Sequence, residues 1–174
     1  EVVIDFSSPP HSLAIARESV SQGKVHLCGT TGFNKEQLAE LAYLAEKGVI
    51  FQTPNMSIAV SVMSLLVEKA AAMLAEDFDI EVLDIHHKHK VDAPSGTSLL
   101  LGQAAARGRK SNLDEISRFD NNSLRKRGDI GFTSIRCGET VGEHKVMFIS
   151  SAEKIELTHT SYTRSVYAES AVKI

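Results

Sequence analysis

Cysteine is scarce in this chain, which has two cysteines, Cys28 and Cys137, among 174 residues. A disulfide-rich scaffold or a zinc site made of paired thiolates needs more cysteines at closer spacing, so both are excluded. The two cysteines lie in strand-like runs, and we expect them to be small buried residues of a reduced protein that are not joined to each other. We also expect no metal ion.

An excess of basic residues is missing too, since 19 lysines and arginines face 22 aspartates and glutamates. The net charge of −3 argues against general binding of nucleic acid, which needs a basic surface. No apolar run approaches the roughly 18 residues of a membrane span, and no signal-peptide pattern opens the chain. We therefore expect a soluble, cytoplasmic protein of one ordinary domain or two small ones.

The first half of the chain alternates between apolar runs and helix-like segments. Ser8 and Pro9 open the first predicted helix, whereas Asn34 caps the second and Gly48 ends it. Strands are predicted at residues 1–6, 24–28 and 49–52, and helices at residues 9–22, 34–47 and 57–76. This order of strand and helix is typical of a parallel, doubly wound sheet.

Small polar residues follow each predicted strand of this half. Ligands bind at the carboxyl ends of the strands in such sheets, so these loops are candidates for lining a nucleotide crevice. Strand-to-helix loops are generally rich in Gly, Ser, Thr and Asn, so an ordinary loop composition explains them equally well at this point. The residues after the second and third strands are Gly29, Thr30, Thr31, Thr53, Pro54 and Asn55.

The second half has another pattern. A strand is predicted at residues 79–85 and a helix at residues 95–106, followed by a polar surface loop with some local helix over residues 107–129. Three more strands should then form a meandering antiparallel or mixed sheet with the first. They are predicted at residues 130–137, 143–150 and 154–159. We expect two subdomains that meet near residues 55–58.

A basic cluster between these elements is the most informative feature of the sequence. Residues 84–97 read DIHHKHKVDAPSGT, with three histidines and two lysines in five consecutive positions. If the strand continued into the cluster, alternation would place His86, Lys88 and Lys90 on one face and the other two histidines on the opposite face. A histidine can exchange a proton near neutral pH, whereas a lysine supplies a fixed positive charge and a possible acid.

The residues after the cluster favour an anionic ligand. Ser95, Gly96 and Thr97 open a predicted helix, and the free backbone amides of a helix N-terminus attract anions. Cations beside such a terminus fit a carboxylate or a phosphate. Two other interpretations remain: a zinc site, although the spacing is unusual and the lysines repel a cation, and a solvated basic patch without a role.

Residues 84–97 also resemble the signature of the dihydrodipicolinate reductase family, E-x-H-H-x-x-K-x-D-A-P-S-G-T. The chain departs from it in having Asp84 in place of glutamate. Further stretches agree with the family, and the resemblance covers nearly the whole chain. They are residues 3–7 (VIDFS), 29–33 (GTTGF) and 55–57 (NMS), and the glycines, arginine and histidine within residues 131–144.

The resemblance implies a fold and an activity. The fold is α/β, with a partial Rossmann-like dinucleotide-binding domain at residues 1–57 and an α+β substrate-binding and oligomerisation domain with a mixed sheet at residues 58–162. Residues 163–174 would return to the first domain. The implied activity is the reduction of a cyclic hydroxy-dicarboxylate by NADPH or NADH, with loss of water, in diaminopimelate and lysine biosynthesis. Family members are usually homotetramers.

The resemblance also implies roles for individual residues. His86 takes the position of the catalytic acid or base and Lys90 that of the proton donor. Residues of the same segment bind the substrate, and two loops contact the cofactor. The implied substrate-binding residues are His87, Gly96 and Thr97, and the implied cofactor-binding residues are Gly29, Thr30, Thr31, Thr53, Pro54, Asn55 and Met56.

The chain also departs from the family at both ends. It has no Gly-rich phosphate loop and stops soon after Tyr167, so we expect a fragment that binds cofactor poorly and turns over slowly. Three alternatives stay open: an assembly module that retains only the substrate site and the tetramer sheet, a related reductase of another small amino or keto acid, and a metal-dependent hydrolase.

Overall fold

The computed structural model describes residues 1–120 and 122–173. Its strands are β1 (Val2–Asp5), β2 (Val25–Cys28), β3 (Ile50–Gln52), β4 (Asp79–His86), β5 (Ser117–Arg118), β6 (Ile130–Arg136), β7 (Gly142–Ile149) and β8 (Lys154–Ser161). Its α-helices are α1 (Pro9–Ser21), α2 (Lys35–Ala45), α3 (Ile58–Leu74), α4 (Gly96–Gly108), α5 (Leu113–Ile116) and α6 (Ser165–Lys173), and a short 3-10 helix spans Ala75–Asp77.

The chain divides into two compact units. The first unit consists of Glu1–Met56 and of the C-terminal segment from Tyr167, and the second unit consists of Ser57–Val166. Each unit has its own sheet, three-stranded in the first and five-stranded in the second. A candidate site can therefore be described within each unit separately.

The first unit is built on a parallel sheet in the order β1-β2-β3. Helix α2 begins with a capping box in which the Asn34 side chain accepts from the Gln37 amide at 2.8 Å and the Gln37 side chain accepts from the Asn34 amide at 3.0 Å. This satisfies two of the backbone donors that a helix start leaves unpaired. The register sets Asp5, the last residue of β1, beside Cys28, the last residue of β2.

The second unit is built on a mixed sheet in the order β5-β6-β4-β7-β8. The central strand β4 is parallel to β6 and antiparallel to β7. Alternate residues of β4 are buried, beginning with Ile80 and Val82, and they pack with residues of α3 and α4, including Val67 and Leu101, in the core. The same buried face of β4 ends in two polar residues, Asp84 and His86.

The predicted α/β fold class, with a parallel sheet and a mixed sheet, is confirmed. Two expectations were wrong in detail. Cys137 is exposed, because β6 ends at Arg136 before reaching it. The stretch of residues 107–129 includes the edge strand β5 besides a short helix, because backbone pairing with β6 satisfies its polar groups. The alternation of faces considered for residues 86–90 does not apply, because β4 ends at His86 and a turn follows.

In the part of the chain that the structure describes, no helix combines the length and the apolar character needed to cross a membrane.

Candidate functional site

The candidate site of the second unit lies where β4 ends and α4 begins. After His86 the chain turns through residues 88–90, passes a cis peptide bond between Ala93 and Pro94, and enters α4. Ser95 caps that helix, and its hydroxyl accepts from the Ser98 amide at 3.2 Å. The sequence therefore places the end of a central strand and a helix N-terminus on either side of one short basic loop.

Asp84 is the buried centre of this site. It is completely inaccessible to solvent, and donors from β4, β6 and α4 surround its carboxylate. The distances to Oδ1 are 3.0 Å from His86 Nδ1 and 2.5 Å from Arg136 Nη1, and those to Oδ2 are 3.1 Å from the Ser95 amide, 2.8 Å from Ser98 Oγ and 3.0 Å from Ser134 Oγ. A buried charge is tolerated only when it is paired in this way.

These bonds fix the charge of Asp84. Burial by itself would raise its pKa, but the hydrogen bonds from His86, the Ser95 amide, Arg136 and Ser98 outweigh burial and hold the pKa far below its usual range. Asp84 is therefore an anion at neutral pH.

His86 is oriented by that anion. Because the carboxylate accepts from Nδ1, the proton of a neutral His86 ring sits on Nδ1, and Nε2 has a lone pair to use. A Cβ atom added to Gly142 would lie 3.2 Å from Nε2, so the glycine leaves the space beside this nitrogen open. The arrangement can accept a proton at Nε2 and return it, which is what an acid–base catalyst requires.

His144 packs against His86 from β7. The two ring centroids are 5.0 Å apart in an edge-to-face arrangement, and His144 Nε2 lies 3.3 Å from Ser95 Oγ. Burial, together with the neighbouring His86, lowers the pKa of His144 to about 3. His144 is therefore neutral at pH 7 and forms one wall of the site.

Lys90 and His87 lie nearer the surface of the same loop. Lys90 Nζ is 2.7 Å from Asp92 Oδ1, and its side chain is 22% exposed. Local burial, and then the charge of Arg164, lower the pKa of His87, whose Nε2 lies 3.1 Å from Arg164 Nη2. A neutral His87 ring accepts this bond and carries no charge itself. The positive charges on the accessible side of the loop are therefore those of Lys90 and Arg164.

Gly96 and Thr97 form the first turn of α4, where Thr97 is 8% exposed. The five residues predicted in this segment thus lie at the end of one strand, in the turn that follows and at the start of one helix. They are His86, His87, Lys90, Gly96 and Thr97.

The residues predicted to contact a cofactor lie in the first unit. Gly29, Thr30 and Thr31 follow β2, and the Thr53 amide donates to the Cys28 carbonyl at 3.0 Å, so the loops after β2 and β3 emerge at the same edge of the sheet. The hydroxyl of Thr30 is occupied, because it donates to Asp5 Oδ2 at 3.2 Å. The Met56 side chain is buried with Leu27 and Ala171, so it belongs to the core of this unit.

Sequence reasoning missed the part played by Asp84 and by its partners Arg136 and Ser134. The signal was present in β4, where alternation places Asp84 on the same face as Val82 and His86. A carboxylate on the buried face of a central strand needs partners. Which residues supply them depends on the pairing of β4 with β6, which the sequence did not predict.

The fold and the site define an α/β protein with a parallel sheet in one unit and, in the other, a mixed sheet that carries a histidine held by a buried carboxylate. Family models of dihydrodipicolinate reductase match both parts, the N-terminal model at residues 1–56 and the C-terminal model at residues 59–174. The chain belongs to the dihydrodipicolinate reductase family.

Individual relatives agree with this. The chain is 48% identical over 176 residues to 4-hydroxy-tetrahydrodipicolinate reductase of Dinoroseobacter shibae and 47% identical over 174 residues to that of Methylocella silvestris, covering 99% and 98% of this chain. It spans 65% and 64% of the length of those relatives. A dipicolinate-bound dihydrodipicolinate reductase from Paenisporosarcina is similar in structure, with a TM-score of 0.72 and 27% identity over 98% of this chain and 66% of that one.

Substitution of Asp84 by asparagine should destabilise the protein. Asparagine keeps the shape but turns one acceptor oxygen into a donor that faces other donors. We expect the free energy of unfolding to fall by about 3–5 kcal/mol, measured by urea denaturation followed by circular dichroism. Asp114→Asn, at an exposed position, is the matched control and should change it by less than about 0.5 kcal/mol. Equal effects of the two substitutions would contradict the role given to Asp84.

Stability should also depend on pH through His144. Between the folded pKa of about 3 and an unfolded pKa of about 6.5, the unfolded chain binds a proton that the folded chain does not. The free energy of unfolding therefore keeps its full value above about pH 6.5 and decreases as the pH falls. His144 should lower it by about 2 kcal/mol between pH 6.5 and pH 5.

The comparison of two histidine variants tests this dependence. His144→Gln should lose less stability than the unsubstituted protein between pH 7 and pH 5, in urea denaturation at each pH. His11→Gln, at an exposed site of α1, should keep the original dependence. An unchanged pH dependence in His144→Gln would show that another group is responsible.

Proposed function

We propose that this chain is part of a 4-hydroxy-tetrahydrodipicolinate reductase, which converts 4-hydroxy-tetrahydrodipicolinate to tetrahydrodipicolinate in diaminopimelate and lysine biosynthesis. The observation that carries the proposal is the pair of Asp84 and His86 at the end of β4, beside the N-terminus of α4. It unites an acid–base group with an anion-attracting helix start. The membership of the family and the names of its relatives support the same reaction.

A dicarboxylate substrate matches the charges of the site. Lys90 provides an ammonium group at the end of the turn, and the first turn of α4 provides the backbone amides of Gly96 and Thr97 with the Thr97 hydroxyl. His87, which pairs with Arg164, stands at the accessible side of the same loop. We assign the binding of the substrate carboxylates to these residues. The Paenisporosarcina relative has dipicolinate, itself a dicarboxylate, bound in its structure.

We assign proton transfer to His86 and Lys90. The reaction consumes one proton overall, because hydride addition and the departure of hydroxide as water together require one. His86 can deliver it from Nε2 while Asp84 stabilises the charged ring through Nδ1. Lys90 is a second donor, and its contact with the Asp92 carboxylate keeps the ammonium group in place.

We assign the binding of the dinucleotide cofactor to the first unit. NADPH or NADH supplies the hydride of the family reaction. Loops after two neighbouring parallel strands meet at one edge, and Thr31 and Gly32 are exposed there. Gly32 has a φ of 86°, and apart from its chain neighbours no described residue comes within 4 Å of where its side chain would begin. This backbone can be approached closely, which fits a bulky nucleotide. We assign cofactor contacts to Gly29, Thr30 and Thr31 and to the residues from Thr53 to Met56.

A homotetramer built on the second unit is part of the same proposal. The face of its sheet opposite to α3 and α4 carries Ile135 and Ile149, which are 40% and 37% exposed. Exposed branched apolar residues on a sheet face are suited to pairing with another copy. We propose that the assembly acts in the cytoplasm, where its family pathway supplies the substrate.

Dipicolinate binding and turnover should separate the residues of the site. Lys90→Ala and Thr97→Ala should each weaken binding of pyridine-2,6-dicarboxylate about tenfold to a hundredfold in calorimetry, since each removes a bond to a charged ligand. His86→Gln should bind nearly as well but lower the turnover of the full-length protein about a hundredfold or more.

Lys88→Ala is the matched control, because Lys88 lies in the same loop but pairs with Glu139 at 3.1 Å on the surface. It should bind dipicolinate like the unsubstituted protein. Equal weakening by Lys88→Ala and Lys90→Ala would mean that the loop attracts anions only by its overall charge. A full-length protein without NADPH- or NADH-dependent reduction of the substrate would overturn the proposed reaction.

A further inference from the structure

A second group of chemically active side chains lies in the first unit and includes none of the residues assigned above to the substrate, the cofactor or proton transfer. It consists of Asp5, His26 and Cys28, which are 3%, 0% and 0% exposed. The parallel register sets Asp5 of β1 beside Cys28 of β2, and His26 lies two residues before Cys28 on the same face of β2. Strand pairing alone therefore brings a carboxylate, an imidazole and a thiol together.

The ligand atoms have the spacing of a metal site. One atom from each residue lies within 4.8 Å of the other two, His26 Nε2 is 3.5 Å from Asp5 Oδ2, and Cys28 Sγ is 3.9 Å from the same oxygen. Zinc bonds of about 2.0–2.3 Å in a tetrahedron place neighbouring ligand atoms roughly 3.3–3.7 Å apart. Shifts of a few tenths of an ångström in the two given pairs would bring them to a common ion.

The ring nitrogens of His26 are independent evidence that this group binds a cation. Its ring is fully buried, yet neither Nδ1 nor Nε2 has a hydrogen-bond partner among the residues that the structure describes. A buried polar group without a partner destabilises a protein unless it serves another purpose. Nε2 faces Asp5 Oδ2 at 3.5 Å without hydrogen-bond geometry, so a cation between the two atoms would give Nε2 the partner that it lacks.

Hydrogen bonds orient the carboxylate of this group. The Ser7 amide donates to Asp5 Oδ1 at 2.9 Å and the Thr30 hydroxyl donates to Oδ2 at 3.2 Å, while Oδ2 also faces His26 and Cys28. The hydroxyl of Ser12, on α1, lies 3.1 Å from Cys28 Sγ. Hydrogen bonds of this kind to ligand side chains hold them in place around metal ions.

We propose that Asp5, His26 and Cys28 bind one zinc ion that ties β1 to β2. A carboxylate and a thiolate balance the double charge of the ion, and the imidazole completes a ligand set of the type that zinc prefers. Magnesium and calcium are disfavoured, because they take oxygen ligands. A water molecule or the Ser12 hydroxyl completes the tetrahedron. These ligands belong to the first unit, whereas the basic loop of residues 86–90 belongs to the second.

Cobalt substitution in a single-cysteine variant tests the site without altering it. Cys137 is exposed, so Cys137→Ser leaves Cys28 as the one thiol of this chain. Addition of Co²⁺ to this variant should give one bound ion per chain with a thiolate-to-cobalt charge-transfer band and the intense visible bands of tetrahedral cobalt. One equivalent of Zn²⁺ should abolish these bands and raise the melting temperature.

Three further variants assign the ligands. Cys28→Ser should lose the charge-transfer band, and His26→Asn should weaken metal binding at least tenfold, whereas the double variant His87→Asn/His89→Asn should keep the spectrum unchanged. Circular dichroism of each variant shows whether it is folded. The absence of a charge-transfer band in folded Cys137→Ser, or its loss in the double variant, would overturn the proposal. Neither result depends on reductase activity.

Discussion

The second unit depends on the enclosure of one negative charge. The Asp84 carboxylate is fully buried and receives bonds from His86 in its own strand, from Ser134 and Arg136 in the neighbouring strand and from the start of α4. An unpaired carboxylate there would cost several kcal/mol, so the donors have to be in place when the protein folds. The same bonds that satisfy the charge therefore fix the relative positions of β4, β6 and α4.

The candidate site is a consequence of this enclosure. His86 is held by Nδ1, so its other nitrogen has a definite direction, and the helix that contributes two donors to Asp84 also presents its N-terminus to the basic loop. Arg136 extends the network, since it bonds Asp84 and also donates to the Asp92 carbonyl at 2.6 Å. Arg136 thus connects Asp84, which lies before the loop that carries Lys90, with Asp92 at the end of that loop.

Asp84 stands where the family signature has the longer glutamate. Its shorter side chain is well supplied with donors, since each carboxylate oxygen accepts at least two hydrogen bonds. Histidine at position 144 stays neutral beside it, because burial outweighs the attraction of the nearby carboxylate. A neutral ring packs against His86 without competing for the charge of Asp84.

Much of the fold could be predicted from local patterns. Caps at Asn34 and Ser95 and the alternation in β4 are local, and the predicted helices and strands lie within a few residues of the observed ones. The short strand β5 and the C-terminal helix α6 were not predicted. Cys137 was misjudged because exposure depends on where β6 ends. The faces of the residues in the basic cluster stayed open for the same reason, since local alternation does not reveal where β4 ends.

By itself the sequence determined the chemistry that is available here: a parallel α/β half, a mixed-sheet half, and histidine and lysine side chains before a helix start. Only the tertiary structure decided which groups act together. Arg136 lies 52 residues from Asp84 and reaches it because β4 and β6 pair in parallel, and His26 and Cys28 meet Asp5 only through the register of β1 and β2. Partners so distant in sequence leave no local pattern, because contacts across a sheet are set by strand order and register.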